Sequence, residues 1–510
     1  MSNFNIPGVD EMEKLIYSAD YFDEENIDFK KVLKLIRKHK RDVVPTIKRN
    51  LDYYKGNHQI LRRTKTDKSL PNNKTVCNHA KDIADTATGY FMSSALTFNC
   101  ADENMDIDKL TDMFDQADVD DTDHDNALDM SRCGCAFEYV YAKQDENILC
   151  TKNLDATNTF IVYDDTIEEN ELFAVYYNTI KDSTTNKQKV VADVLTKAHR
   201  YHFESDTQGK EITLAYTEDL NFGEIPVILY QNNKDCIGDY EQQISLIDAY
   251  NTLMSDRVND KEQFLNSLLV LYGSRLADDV VDEQGVSEVS KALKVLKDNG
   301  FLELPEGSKA EYIAKTFDEQ GVEVLRKALK EDIYTLSHVP NMSDENFASN
   351  ASGVAMEYKL LALENITATK ERYYTKGIKK RIRLFCNYGS LLSISANASA
   401  VVPTFSRGLP KNLLELSQII TNLKGFVSKK TLIQQLPFVE DPDGELELVD
   451  KENQEAMEQQ QQMFGFTANT TPDEEKEKSN DERKNKRQGV SSNTKKTKSN
   501  SSKNNQVDDS

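Results

Sequence analysis

Three groups of residues in this 510-residue chain have the types that metal or acid–base chemistry uses. The first is the aspartate-rich run DQADVDDTDHDNALD, from Asp115 to Asp129. Within it Asp121, Asp123 and Asp125 fall at the alternate-residue spacing of a calcium-binding loop. Such a loop needs glycine at its sixth position and a bidentate glutamate at its twelfth, and Asn126 and Arg132 stand there instead. The run therefore reads as the acidic start of a helix, favoured beside the positive end of the helix dipole. The second group, Cys133 and Cys135, lacks a second pair at zinc spacing. The third, His199 and His202, lies in a strand-like run whose alternation sends the two rings to opposite faces of a sheet. Two ligands to one ion would need the same face. The sequence contains no phosphate-cradling GxxxxGK[ST] loop, no GxSxG elbow and no HExxH pair. Carboxylates are plentiful, but no spacing singles out an acid–base couple. The expectation is a protein with no catalytic residues, no metal and no cofactor. A carboxylate-rich, metal-dependent nuclease and a structural scaffold that never binds DNA remain the alternatives.

Composition narrows the choice. The net charge is −23, which argues against a surface that grips nucleic acid everywhere. It does not exclude a protein past which DNA slides. The length exceeds one ordinary hydrophobic core, so several domains are expected. Seven thinly spread cysteines read as free thiols of a reducing compartment. No apolar run approaches the ~20 residues of a membrane span. The start of the chain shows no basic-then-apolar signal peptide.

The elements that must position any site follow from periodicity. Residues 10–60 read as helices, with Val32, Leu33, Leu35 and Ile36 forming an apolar face among Lys30, Lys31, Lys34, Arg37, Lys38, Lys40 and Arg41. That basic face reads as a solvated outer surface. A helix over Ala80–Phe91 places Ile83, Ala84, Ala87 and Tyr90 on one stripe, with Gly89 near its end. From Cys135 to Tyr230 the period drops to two, which predicts a mostly antiparallel region of about six strands. Ile237–Leu268 reads as a long helix with Ile244, Ile247, Met254, Val258, Leu265 and Leu268 on a stripe. Asp239, Glu241, Asp248, Asp256, Asp260 and Glu262 make much of its remainder acidic. SLLVLYG, FLELP and AEYIAKTF then read as strands around a short helix over Val286–Lys297.

A further helix carries Leu325, Leu329, Ile333 and Leu336 on one face. Pro340 stops it, because the residue before proline is pushed out of the helical region. The small-residue run from Asn341 to Gly353 has no period and reads as a loop. From Val354 to about Tyr388 runs a very long helical pattern, with Met356, Leu360, Leu363, Tyr374, Ile378, Ile382 and Phe385 largely on one stripe. At 1.5 Å per residue it would be roughly 50 Å long, and it needs an equally long surface to pack on. Helices follow at 411–424 and 428–436, the second capped by Ser428, and the helical pattern ends by Gln462. Residues 466–510 carry almost no apolar residues and are expected to be disordered, an acidic stretch preceding a basic one.

The run SHVPNMSDENFASNASGVAMEYKLLALENITATKERYYTKGIKKRIRL resembles the tunnel-loop region of tailed-bacteriophage portal proteins of the Gram-positive siphophage type. Two further features carry the resemblance. One is the pattern YYKGNH, NNK and DTATGYF between Tyr53 and Phe91; here Met92-Ser-Ser-Ala95 follows, where the family usually has a glycine and a proline. The other is a small α/β segment set between two long helices.

The resemblance implies an α+β, portal-like protomer that assembles into a ring. Its wing would be residues 1–236 and its stem helices 237–268 and 321–338, with a clip at 269–320 between them. A tunnel loop at 339–353, a long helix and wing return at 354–398, a crown at 399–465 and a tail at 466–510 complete the plan. It also implies a tunnel-loop site of Asn341, Met342, Ser343, Asp344, Glu345, Asn346, Phe347, Ser349 and Asn350 facing duplex DNA. The implied role is a channel at one capsid vertex through which double-stranded DNA is packaged and ejected. The implied partners are other copies of the chain, about twelve in a ring, the terminase large subunit, the major capsid and scaffolding proteins and a head–tail adaptor, with no membrane. Assembly in the host cytoplasm and residence in the virion follow from the same resemblance.

Overall fold

The computed structural model describes residues 14–68, 70–100, 107–143, 148–181, 187–264, 268–272, 294, 307, 309–313, 318–342, 353–391, 397–407, 413–436, 439, 444–446 and 448–453. The chain divides into two units, Met1–Asn412 and Leu413–Ser510. Helices and strands mix as the α+β expectation requires.

The first unit holds two principal sheets. One has six strands in the order β1 (Leu15–Ile16), β5 (Thr159–Tyr163), β6 (Glu171–Lys181), β7 (Gln188–Leu195), β8 (His199–Asp206) and β9 (Ile212–Asp219). All neighbours are antiparallel except β1 and β5. The other sheet runs β10 (Val227–Gln231), β3 (Cys135–Ala142), β4 (Leu149–Leu154), also antiparallel. The region therefore has eight strands rather than about six. KVVADVLTKAHRYHFE is two strands, because the Thr196 hydroxyl accepts from the Ala198 and His199 amides and closes a turn. LCTKNL escaped the period-two reading because only its end residues, Leu149 and Leu154, are buried, with polar residues between. Two more pairs complete the strands, β2 (Thr97–Cys100) with β13 (Val401–Thr404), and β11 (Leu268–Tyr272) with β12 (Lys309–Ile313).

Helix α1 (Phe29–Asp42) starts at Asp28, whose carboxylate accepts from the Lys30 and Lys31 amides. Its Val32, Leu33 and Ile36 are buried with Phe160, Phe173, Val175 and Phe203 of the six-stranded sheet. Of its cations Lys30, Lys34, Arg37 and Arg41 are exposed as expected, whereas Lys31, Lys38 and Lys40 are half-buried, Lys31 donating to the Tyr17 hydroxyl and Lys40 to the Thr179 hydroxyl. Helix α2 (Val44–Tyr54) opens on Pro45, where the missing N–H costs nothing. Helix α3 (His79–Phe91) is capped by Asn78. The aspartate-rich run closes α4 (Asp108–Gln116) with Asp115 and, after a break at Ala117–Asp118, forms most of α5 (Val119–Cys133), with Asp120 and Asp121 in its first turn. Gly134 ends it at φ +81°, where a Cβ would sit 1.8 Å from the Cys236 carbonyl oxygen. Only glycine fits there.

Helices α6 (Ile244–Phe264), α7 (Glu319–Ser337) and α8 (Gly353–Leu391) follow. The long surface that α8 needs is supplied by two cores in succession. Leu360 and Leu363 join Tyr53, Ala80, Ile83, Ile247, Tyr250 and Ile333. Tyr374, Ile378, Ile382 and Phe385 join Phe91, Met130, Ile228 and Tyr230. The stripes read for α6 and α7 are less fully buried. On α7, Ile333 is buried while Leu325 and Leu336 are 49% and 57% exposed. On α6, Val258 is exposed, and Leu268 belongs to β11 rather than to the helix.

In the second unit, α9 (Leu413–Leu423) precedes α10 (Lys429–Ile433), where the Ser428 hydroxyl accepts from the Thr431 amide as its cap. The short helix expected over 286–297 (apart from Lys294), the strand at 301–305 and the tail 466–510 lie outside the described residues. None of the seven cysteines forms a disulfide. No helix among the described residues is long and apolar enough to cross a membrane.

Candidate functional site

The segment 341–352 springs from a fastened helix end. Helix α7 stops at His338, which adopts φ +60°. The Ser337 hydroxyl donates to the Tyr334 carbonyl and accepts from the Val339 amide. From α6's approach, Gln243 Nε2 donates to the Leu336 carbonyl at 3.1 Å. Val339 is buried, so the chain leaves the core only at Pro340. Asn341 is half-buried and Met342 is 56% exposed. Ser343, Asp344, Glu345, Asn346, Phe347, Ser349 and Asn350 lie outside the described residues. The chain resumes at Gly353 as the first residue of α8.

The frame behind this segment is an α6–α7 pair held to the 53–78 region by a polar ladder that periodicity did not reveal. On α6, Asn251, Ser255 and Asn259 recur every fourth residue and all three are buried. Their side-chain oxygens accept backbone amides in descending order: Cys77 at 2.8 Å, Thr75 at 2.9 Å and Asn73 at 2.7 Å. An extended segment thus finds on a helix the acceptors it would otherwise find on a strand. His58 adds to the ladder through its Nδ1, 2.7 Å from Asn251 Nδ2, and its Nε2, 2.9 Å from the Tyr53 carbonyl. Tyr53 donates its hydroxyl to Asp248 at 2.8 Å. Burial, first of all, and then this hydrogen bond raise the tyrosine's pKa. The YYKGNH and NNK motifs are therefore the residues that hold α6. The only available signal was the Asn–Ser–Asn spacing on α6, which reads as a polar stripe until its partner is known.

Ion pairs fix α7 against α6. Arg257 bridges Glu319 at 2.6 Å and Glu323 at 3.0 Å, and Lys261 reaches Glu319 at 2.8 Å. Arg326 donates to Glu323 and to the Tyr250 hydroxyl. The Arg326 hydrogen bond, more than that of Arg257, holds the Glu323 carboxyl down at about 2.

The acidic remainder of the 237–268 region is not a free row of charge. Asp239 pairs with Lys370, both buried. Glu241 pairs with Arg49 and accepts from Asn50. Asp256 pairs with Arg63, and Glu262 accepts from Asn73. With Asp248 bound to Tyr53, five of the six acids read from the sequence are spent on holding this region together.

The metal-like candidates resolve in the same way. Asp123 is buried, and its partners are the Arg381 guanidinium and the Tyr374 hydroxyl. His202 shares a hydrogen bond with Asp193 at 2.9 Å, and His199 one with Asp219 at 3.0 Å, on opposite faces of β8 as read. Between the two sheets lies a cavity of about 470 Å³ lined in part by Tyr139, Tyr141, Lys152, Asp193, Arg200 and Glu218. Both of those acids pair with Arg200. No group of three or more metal-ligating side chains converges among the described residues.

A family model described as "Phage portal protein, SPP1 Gp6-like" matches residues 33–459. The chain is 24% identical over 444 residues to the portal protein of Bacillus phage SPP1, covering 81% of this chain and 82% of that protein. It is 22% identical over 420 residues to the portal protein of Clostridium phage phiCD119, covering 76% of this chain and 88% of that one. With a match that runs from α1 through the polar ladder and the α7–α8 junction into the second unit, this chain belongs to the SPP1 Gp6-like family of phage portal proteins, structural proteins of the virion whose known role is the DNA-packaging channel.

Proposed function

We propose that the chain closes into a ring of about twelve copies around duplex DNA at one capsid vertex. In this reading α6 and α7 are the stem, 269–320 the clip, 341–352 the loop that faces the DNA, and 399–465 the crown. Residues 1–236 with the return of α8 form the wing. The observation that supports it most is the α6–α7–α8 arrangement. Two helices are cross-braced by Arg257 and Arg326, and their tip carries a small segment that includes the β11–β12 pair. The far end of α7 is fixed by Ser337 and Gln243 before the chain turns into a 39-residue helix. Rigid struts flanking a polar segment suit a channel wall that must keep its bore under load.

Geometry makes the number reasonable. Helices about 10 Å wide, one per copy, around a bore of about 30 Å have their centres on a circle near 125 Å, which holds about twelve. A head-to-tail interface that closes produces such a ring. The ring would nucleate the head, dock the terminase large subunit during packaging, contact the capsid and scaffolding proteins, and later join the head–tail adaptor. Its role is mechanical: purified protein should neither hydrolyse ATP nor cut DNA with magnesium or manganese. Light scattering with negative-stain imaging of the full chain tests the ring. A monomer that persists under all assembly conditions would overturn it. Metal-dependent cleavage lost on replacing one carboxylate would overturn the passive role.

A further inference from the structure

The outward face of α8 carries a row of cations. Arg372, Lys376, Lys379 and Arg383 follow at intervals of four, three and four residues, and all are exposed. They lie opposite Tyr374, Ile378, Ile382 and Phe385, which are buried. The helix treats its other cations differently. Lys370 is bound to Asp239, Lys380 to Glu171, and Arg381 to Asp123 and Glu138. In the outer row only Arg383 has an acid, Glu224 at 2.6 Å. Arg372, Lys376 and Lys379 form no ion pair among the described residues. Glu371, the nearest acid in sequence, is taken by Arg407 at 2.7 Å. In a chain of net charge −23, three neighbouring cations on one helical face are left without an acid among the described residues, against two, Lys30 and Lys34, on α1. Elsewhere on α1 the basic face is interrupted: Arg37 donates to the Thr207 carbonyl, Lys40 to the Thr179 hydroxyl, and Arg41 pairs with Asp42.

We propose that this outer row of α8 is a contact surface for the phosphate backbone of duplex DNA, separate from the 341–352 segment. Its four positions span about 16 Å of helix axis. One strand of B-DNA presents a phosphate every 3.4 Å of rise, so a row of this length faces about five. Chemistry favours phosphate over a protein partner. From Thr369 before the row to Asn387 after it the stripe has no exposed apolar side chain to anchor a partner; the exposed Tyr358 and Leu361 of the same helix lie about 16 Å or more before Arg372. Lysine is depleted at protein–protein interfaces, whereas Lys and Arg free of intramolecular acids release counterions when they meet phosphates. Three such contacts per copy give weak, salt-sensitive and sequence-blind binding, which holds a duplex against the surface without fixing its register. The inference relies on the portal reading only for the identity of the polyanion.

The test uses the full-length protein and a short linear duplex of mixed sequence, with binding followed by fluorescence anisotropy over a salt series. The triple variant Arg372→Ala/Lys376→Ala/Lys379→Ala should bind more weakly. Its log–log salt slope should be shallower by up to about 2.7 for each engaged row, near 0.9 for each lost contact. Lys30→Ala/Lys34→Ala on α1 should change neither. Particle mass, read by light scattering on the same samples, should be unchanged whatever ring size the parent forms. In the unmutated protein, the duplex should protect Lys376 and Lys379 from an amine-acylating reagent and leave Lys30 and Lys34 reactive. Unaltered affinity and slope in the triple variant, or no protection of Lys376 and Lys379, would overturn the proposal. A variant that loses its assembly would also overturn it and identify the row as a contact between copies. If the parent itself forms no ring yet shows this protection, the portal reading fails while the phosphate surface stands.

Discussion

Arg381 and Glu138 meet in the interior between α8 and β3 with neither side chain exposed, Arg381 Nε donating to Glu138 Oε1 at 2.8 Å. The guanidinium also reaches Asp123 on α5. Asn126 Nδ2 and the Tyr230 hydroxyl donate to Glu138 at 3.1 and 2.7 Å, and the Tyr374 hydroxyl donates to Asp123. Burial raises both tyrosine pKa values, so each stays a donor. One arginine thus joins α5, α8 and the three-stranded sheet. Removing it strands two carboxylates away from water, and breaking a buried pair costs about 3–5 kcal/mol. Arg381→Met should lower unfolding stability by that order in urea titration, whereas Arg383→Met, at the exposed pair with Glu224, should cost under about 1 kcal/mol.

The ladder on α6 gives a second prediction. Asn251→Leu keeps the approximate shape but leaves the Cys77 amide and His58 Nδ1 without their partner. An unsatisfied buried group costs about 1–3 kcal/mol. Hydrogen exchange at the Cys77 amide should accelerate before global unfolding does, because the 73–77 segment loses its acceptor while the apolar core is untouched. Equal acceleration throughout α3 and α6 would mean that the ladder is not a local fastening.

These two relationships also mark where sequence reading stops. The length of α8, its buried stripe, the Ser428 cap and the antiparallel region all follow from local periodicity and capping, and the structure has them. Arg381, Asp123 and Glu138 are far apart in the chain. Asp123 reads as one acid among many, and only the folded neighbourhood shows it as a buried anchor. The ladder is hidden for a related reason: its acceptors sit on a helix and its donors on an irregular segment, so neither side has a period that points to the other. The exposed Leu325 and Leu336 show the converse, an apolar pattern that one copy of the chain does not bury.

Two helical glycines should respond oppositely to alanine. At Gly89 a Cβ meets nothing within 4 Å, so Gly89→Ala removes unfolded-chain freedom without a clash. It should stabilise by about 0.5–1 kcal/mol. At Gly377 a Cβ would lie 2.4 Å from the Tyr230 ring. That ring stacks on Tyr374 at 4.4 Å and is tied to Glu138, so it cannot step aside. Gly377→Ala should destabilise by about 1–3 kcal/mol. Thermal unfolding midpoints moving in opposite directions are the expected result.

Acid sensitivity should have a histidine component. Burial presses the His39 imidazole down to about 4, and burial, with Lys330 adding, does the same to His79. Both stay neutral when folded, while the unfolded chain protonates near 6.5. Their contribution is complete above the unfolded value and is lost as pH falls from about 6.5 towards 4, where the unfolded state binds more protons. In His39→Leu the stability difference from the parent should therefore narrow as pH drops through that window. A difference independent of pH would mean that the ring is not held neutral.

The last prediction concerns passage through the channel. A duplex that must slide cannot meet many fixed lysine–phosphate contacts in its path, since each adds affinity through counterion release. The acids of the 237–268 region are mostly bound within the protomer, so they do not supply the repulsion. That requirement falls on the segment 341–352, which carries Asp344 and Glu345 and no Lys or Arg. It is entered from a helix end that Ser337 and Gln243 hold in place. Asn346→Lys or Ser349→Arg should leave particle mass and unfolding midpoint unchanged, because the fastening of the α7 end rests on Ser337 and Gln243. DNA packaged per head in an in vitro reaction should fall, as the duplex meets a charge that holds it. Matching charge changes among residues 484–498 of the tail should have much less effect. Normal packaging by the Asn346→Lys and Ser349→Arg rings would show that 341–352 does not face the DNA, and the bore would have to be sought elsewhere on the same frame.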